Sequence, residues 1–111
     1  MSVTGTNQQH AKSHNRGLVL RLICTNSGIT RQQITKKTRL TKMTTTNIVS
    51  GLIQSGLVTE KEAKNDHVGR NPTVLAISPS ARKVIGVTIS RDRADVVLSD
   101  LALSIIDILF F

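Results

Sequence analysis

Residues 28–58 read GITRQQITKKTRLTKMTTTNIVSGLIQSGLV, and the fold turns on how this stretch divides. Thr30 offers a capping hydroxyl and Gln33 stands three residues on, the spacing at which each side chain reaches the other's backbone N–H. Ile29 and Ile34 fall where a hydrophobic staple would close over that cap. A short helix is expected over about Arg31–Thr38. Arg39, Leu40 and Thr41 interrupt it, and Thr41 can cap a third helix running to about Gln54. Thr45, Ile48, Val49 and Leu52 recur there at three- and four-residue spacing, one stripe aimed at a core. Lys42, Met43, Thr46, Asn47 and Ser50 fall on the opposite face. Gly56, with no Cβ to clash, suits a left-handed helix end.

Outward from this stretch, residues 1–11 are polar and read as a mobile tail. A helical pattern starts at about Lys12, with Leu18, Val19, Leu22 and Ile23 on one face. TNSG at 25–28 stops it, with Gly28 as a left-handed cap. Downstream the period changes to two. LVTEK (57–61) and TVLAI (73–77) alternate as strands do, and the polar EAKNDHVGRNP (62–72) between them makes a hairpin with a long tip. KVIGVTIS (83–90) and ADVVLSD (94–100) are strand-like, and LALSIIDILFF (101–111) is a last apolar run.

The chain has 111 residues, room for one domain or a small domain plus part of another. Apolar residues make up 39%, enough to exclude wholesale disorder. Net charge is +8, and its placement is uneven. Residues 1–59 hold Lys12, Arg16, Arg21, Arg31, Lys36, Lys37, Arg39 and Lys42 and no acid, whereas from Glu60 onward seven bases meet seven acids. An all-basic half attracts polyanions, of which a sugar-phosphate backbone is the usual one.

Other chemistries find little support. The lone Cys24 excludes an internal disulfide and reads as a small apolar filler. His10 and His14 lie one helical turn apart with no third ligand near in sequence, so they read as polar surface. There is no glycine-rich phosphate loop with a lysine and no nucleophile–base set, so no catalytic residue, metal or cofactor is expected. No run is long enough to span a membrane, and a cytoplasmic location is expected. Trp and Tyr are absent and the two Phe are Phe110 and Phe111, which argues against a platform for stacking single-stranded bases.

The order helix, short helix, turn, helix, hairpin is that of a winged helix-turn-helix. In that arrangement the third helix enters the major groove of double-stranded DNA. Lys42, Met43, Thr46 and Asn47 share the outer face near its start and are the base-edge candidates. Asn pairs with adenine through two bonds, Lys reaches guanine, and Met touches a thymine methyl. Thr30, Arg31, Lys36, Thr41, Thr44 and Ser50 are candidates for phosphate contacts. Lys64, His67 and Arg70 of the hairpin tip reach toward the backbone or the minor groove.

NRGLVLRLI, the stretch quoted first, and GRNPTVLAISPSARKVIGVTISRDRADVVLSDL together resemble the N-terminal part of ROK-family transcriptional repressors (repressor, open reading frame, kinase) over about residues 15–107. The resemblance implies an α+β chain: a tail at 1–11, a winged helix-turn-helix at 12–79, and the first strands of a truncated actin-like ATPase domain at 80–111. It implies a repressor of carbohydrate-utilisation genes, similar to regulators of xylose or N-acetylglucosamine use, bound as a dimer to a palindromic operator. Arg16, Gly69, Arg70 and Asn71 would then support the third helix from the backbone and minor groove. A protein-docking winged helix, or a nonfunctional remnant of a sugar kinase, is the alternative.

The departures from the family are specific. Arg39 stands where the family has Gly, so strain is expected in that turn. Thr35 stands where it has Ala, which would loosen the second helix against the third. Asn71 replaces a basic residue. Thr88 and Ser90 replace an Asp and a Gly that serve phosphate and metal in kinase members, so neither ATP nor sugar binding is expected. The family's catalytic Asp, sugar pocket and zinc motif have no counterpart in these 111 residues, and the chain reads as a fragment or shortened product. Residues 80–111 should form two or three strands with an exposed apolar edge, which would self-associate or fold back on the winged helix.

Overall fold

The change of hydrophobic period near residue 57 divides helices from strands. The computed structural model describes residues 3–64 and 69–111. Across these run α1 (Val3–Thr25), α2 (Arg31–Thr38), α3 (Lys42–Gln54), β1 (Val58–Glu62), β2 (Thr73–Ile77), a 3-10 turn (Pro79–Ala81), β3 (Lys83–Ile89), β4 (Ala94–Asp100) and β5 (Ile105–Phe110). His67 of the hairpin tip lies outside the described residues.

Local chemistry sets the helix boundaries. Thr30 Oγ1 accepts from Gln33 N at 3.2 Å while Gln33 Oε1 accepts from Thr30 N at 3.0 Å. Ile29 and Ile34 are buried on either side of that box, as a staple requires. Thr41 Oγ1 accepts from Thr44 N at 3.1 Å and starts α3. Gly56, at φ 79°, ends it: its N–H donates to Ile53 O and that of Leu57 to Leu52 O. That double bond satisfies carbonyls the helix end would leave open. Between α2 and α3, Arg39 takes the left-handed conformation (φ 60°, ψ 17°) that favours glycine.

α1 begins earlier than the pattern from Lys12 indicates. Its backbone is helical from Val3, within the stretch read as a tail. Once Val19 and Ile23 anchor the helix, each further residue ordered gains one backbone bond, so polar residues can extend it.

The core is Val19 and Ile23 of α1, Ile29, Ile34 of α2, Val49 and Leu52 of α3, Val58 of β1 and Leu75 of β2. Ile29 stitches the helices to the hairpin, since Gly28 N donates to Leu75 O and Leu75 N to Ile29 O. Gly28 has φ 83°, the left-handed geometry expected of it. One polar side chain, Thr45, is fully buried among these residues. Its hydroxyl meets that of Thr35 at 3.0 Å, and Thr35 Oγ1 donates to Arg31 O at 3.0 Å. Thr35 therefore ties α2 to α3 rather than loosening them. Cys24 is exposed, not a filler, because Val19 and Ile23 already occupy the inward stripe of α1 and Cys24 sits a third of a turn round from Ile23. Partial burial nevertheless pushes its thiol pKa up.

β1 and β2 pair antiparallel from Val58↔Ile77 to Glu62↔Thr73. β3, β4 and β5 form a separate antiparallel sheet in that order. The 3-10 turn joins this sheet to the body, and Leu101 N donates to Pro79 O at 3.1 Å. The sheet does not fold its apolar face back onto the winged helix: Ile85, Val87, Ile89 and Leu109 remain exposed. The radius of gyration, 17.7 Å, accordingly exceeds the ~13 Å of a compact chain of this length.

Candidate nucleic-acid interface

α3 presents its outer face to solvent because Thr45, Val49 and Leu52 bury the other. Met43 stands out at 74% exposure, and Thr46, Asn47 and Ser50 are exposed beside it. Two grooves flank this crest. On the α2 side, Lys42 and Thr46 meet Arg31, Gln32 and Thr35 around about 370 Å³. On the α1 side, Thr44, Asn47, Ile48 and Gly51 face Lys12, Asn15 and Arg16 around about 460 Å³. The four base-edge candidates are thus gathered on one helix, with Lys42 and Thr46 toward one groove and Asn47 toward the other.

The phosphate candidates fall into four groups. Thr30 and Thr41 use their hydroxyl oxygens as caps, and Thr41 Oγ1 also bonds Thr44 Oγ1 at 2.8 Å. Arg31 is not a free cation, since its Nη2 pairs with Glu60 Oε2 of β1 at 2.9 Å. Arg16, Lys36 and Ser50 are exposed and carry no such tie among the described residues. Lys64, Gly69 and Arg70 are exposed on the hairpin and Asn71 is half-buried; this group lies beyond β1 and β2, away from α3 in sequence.

Lys12, Asn15 and Gln32 were not singled out from sequence. For Lys12 a signal was present: residues 12, 16, 19 and 23 repeat at four, three and four, so Lys12 and Arg16 extend the stripe that Val19 and Ile23 bury. The Arg31–Glu60 pair, spanning 29 residues, left no local trace.

Residues 13–67 match the model of the MarR family. The chain is 34% identical over 89 residues to the xylose repressor of Caldicellulosiruptor bescii, covering 80% of this chain and 22% of that protein. It is 32% identical over 99 residues to the xylose repressor of Bacillus spizizenii, covering 89% and 26%. The chain carries a MarR-type winged helix and belongs with the ROK-family regulators. It spans about a quarter of the length of the curated relatives it matches. The crystal structure of a ROK family transcriptional regulator, a homolog of the E. coli MLC protein, superposes with a TM-score of 0.68 at 22% identity, over 92% of this chain and 26% of that one. That likeness extends the shared fold past the winged helix into the second sheet. No helix among the described residues is long and apolar enough to cross a membrane.

Proposed function

We propose that this chain reads double-stranded DNA with α3 and serves as the operator-binding part of a transcriptional repressor, a regulator rather than an enzyme. The observation that carries the reading is the crest of α3. It is exposed and, Met43 apart, polar, it has a cation-bearing groove on either side, and no carboxylate occurs before Glu60. A major groove has the width for one helix and is bordered by two phosphate strands, which that arrangement suits. Lys42, Met43, Thr46 and Asn47 contact base edges. Arg16, Lys36, Thr44 and Ser50 contact phosphates, Thr30 and Thr41 hold the helix starts that approach them, and Arg31 contributes from its ion pair. Lys64, Gly69, Arg70 and Asn71 extend the contact along the hairpin.

The relatives named xylose repressors support control of carbohydrate-utilisation genes; in this reading the chain acts in the cytoplasm as a two-fold dimer on a palindromic operator. Thr88 and Ser90, in place of the Asp and Gly of kinase members, favour a chain that binds neither ATP nor sugar through these residues. Titration against random-sequence duplex DNA across a salt series tests the reading. Log affinity should fall linearly with log salt, by about 0.9 per phosphate contacted. Lys36→Ala should weaken all sequences alike, and Asn47→Ala should relax preference at one base position. Flat or absent binding would favour a protein-docking winged helix or a nonfunctional remnant.

A further inference from the structure

The two grooves beside α3 are not equivalent. In the α2-side groove, the guanidinium of Arg31 is already held by Glu60. In the α1-side groove, Lys12 and Arg16 are exposed cations with no carboxylate partner among the described residues. They stand one turn apart on α1, about 6 Å along its axis. Like charges at that spacing disfavour a helix, so the pair gains from an anion set between them. Asn15 on the same face, with Thr44 and Asn47 opposite, completes a lining that is cationic and hydrogen-bonding. The floor is open because Gly51 has no side chain, and a Cβ built there meets nothing within 4 Å. The stripe that buries Val19 and Ile23 thus becomes cationic where α1 runs alongside α3.

We propose that this cleft between the middle of α1 and α3 is a phosphate seat. It holds the DNA strand on the side of α3 away from α2, with Lys12 and Arg16 as the charge and Asn15 and Thr44 as hydrogen-bonding partners, while Asn47 at the rim keeps its base-edge role. The proposal rests on the DNA-binding reading and adds Lys12, Asn15 and the open floor at Gly51 to the phosphate contact which that reading gives Arg16. Its role is sequence-independent grip. Base preference stays with the crest of α3.

The same chemistry would accept a free phosphate, and the test separates the two. Duplex binding is measured across a salt series for the full chain and for Lys12→Ala, Arg16→Ala, Gly51→Leu and Arg21→Ala. Arg21 is an exposed cation of α1 that does not line the cleft, so Arg21→Ala is the control for net charge. Lys12→Ala and Arg16→Ala should each weaken binding by about tenfold and lower the salt slope by about 0.9. Gly51→Leu fills the floor, improves helix propensity, and should weaken binding without removing a charge. Arg21→Ala should change little. Base preference should be the same in all five proteins.

Equal losses in Lys12→Ala, Arg16→Ala and Arg21→Ala, or no loss in Gly51→Leu, would overturn the seat while leaving DNA binding standing. No salt-dependent binding by the parent chain would overturn the DNA reading itself. A parallel titration with inorganic phosphate follows the side-chain amides of Asn15 and Asn47 by NMR. Saturable shifts there, lost in Lys12→Ala and Arg16→Ala while duplex affinity is unchanged, would assign the cleft to a free anion and overturn the strand contact.

Discussion

The winged-helix body and the β3–β5 sheet use the same kinds of apolar residue and leave them in opposite states. In the body, Ile34, Val49, Leu52 and Leu75 are completely buried. In β3, Ile85, Val87 and Ile89 keep 67, 57 and 80% of their surface exposed. Backbone pairing does not account for the contrast, because β3 and β4 pair along their whole length, from Lys83↔Asp100 to Ile89↔Ala94. The difference is layering. The hairpin of the body lies against helices, so its inward side chains meet α1 and α3, whereas among the described residues the second sheet has no layer opposite it. A ladder gives a sheet its shape, and burial of a second layer gives it most of its stability.

The comparison predicts where stability resides. Leu52→Ala opens a cavity in a closed core and should cost roughly 2–5 kcal/mol in urea unfolding. Ile85→Ala in the exposed sheet should stay within about 0.5 kcal/mol. Similar losses would show that the sheet face is covered in solution, and sedimentation would then show whether a second copy covers it.

Much of the body was legible because its signals are local. The Thr30–Gln33 box, the Thr41 cap and Gly56 each act within a few residues, so both boundaries of α2 and α3 follow from spacing. The start of α1 was not legible, because the sequence before Lys12 is polar and carries no apolar period. Cys24 was misjudged because an apolar residue near a core stripe need not be on it. The α1–α3 cleft and the Arg31–Glu60 pair depend on how elements pack, which periodicity does not report. Asn47 was legible as a crest residue, but its proximity to Lys12 and Arg16 was not.

Within the body, polar contacts should matter less than burial. Thr45→Val keeps the shape of the side chain but removes the hydroxyl that meets Thr35. It should cost about 1 kcal/mol, read as a lower Tm, and Thr35→Ala should add little to it because the two hydroxyls share one bond. A sum of two independent losses would show that Thr35 acts through Arg31 O alone. Thr30→Ala removes the acceptor for Gln33 N and should also cost about 1 kcal/mol. By contrast, Ser104, whose backbone N–H bonds Asp100 Oδ1 in the loop between β4 and β5, should tolerate Ala with no measurable change.

One small expected effect runs in the other direction. Arg39 holds φ 60° in the turn between α2 and α3, a conformation that costs a residue with a Cβ about 1–2 kcal/mol. Glycine removes that cost but gives the unfolded chain more freedom, worth about 0.4–1 kcal/mol against folding. Arg39→Gly should therefore stabilise the body by roughly 0.5 kcal/mol, the difference of those two terms. Arg39 also lies near Lys36, Lys37 and Lys42 in sequence, so loss of charge is a competing cause of any gain. Arg39→Ala separates the causes, because it removes the charge and keeps the Cβ. If the turn is strained, Arg39→Gly raises the Tm and Arg39→Ala does not. Equal gains would assign the effect to charge repulsion and leave the left-handed backbone without a measurable cost.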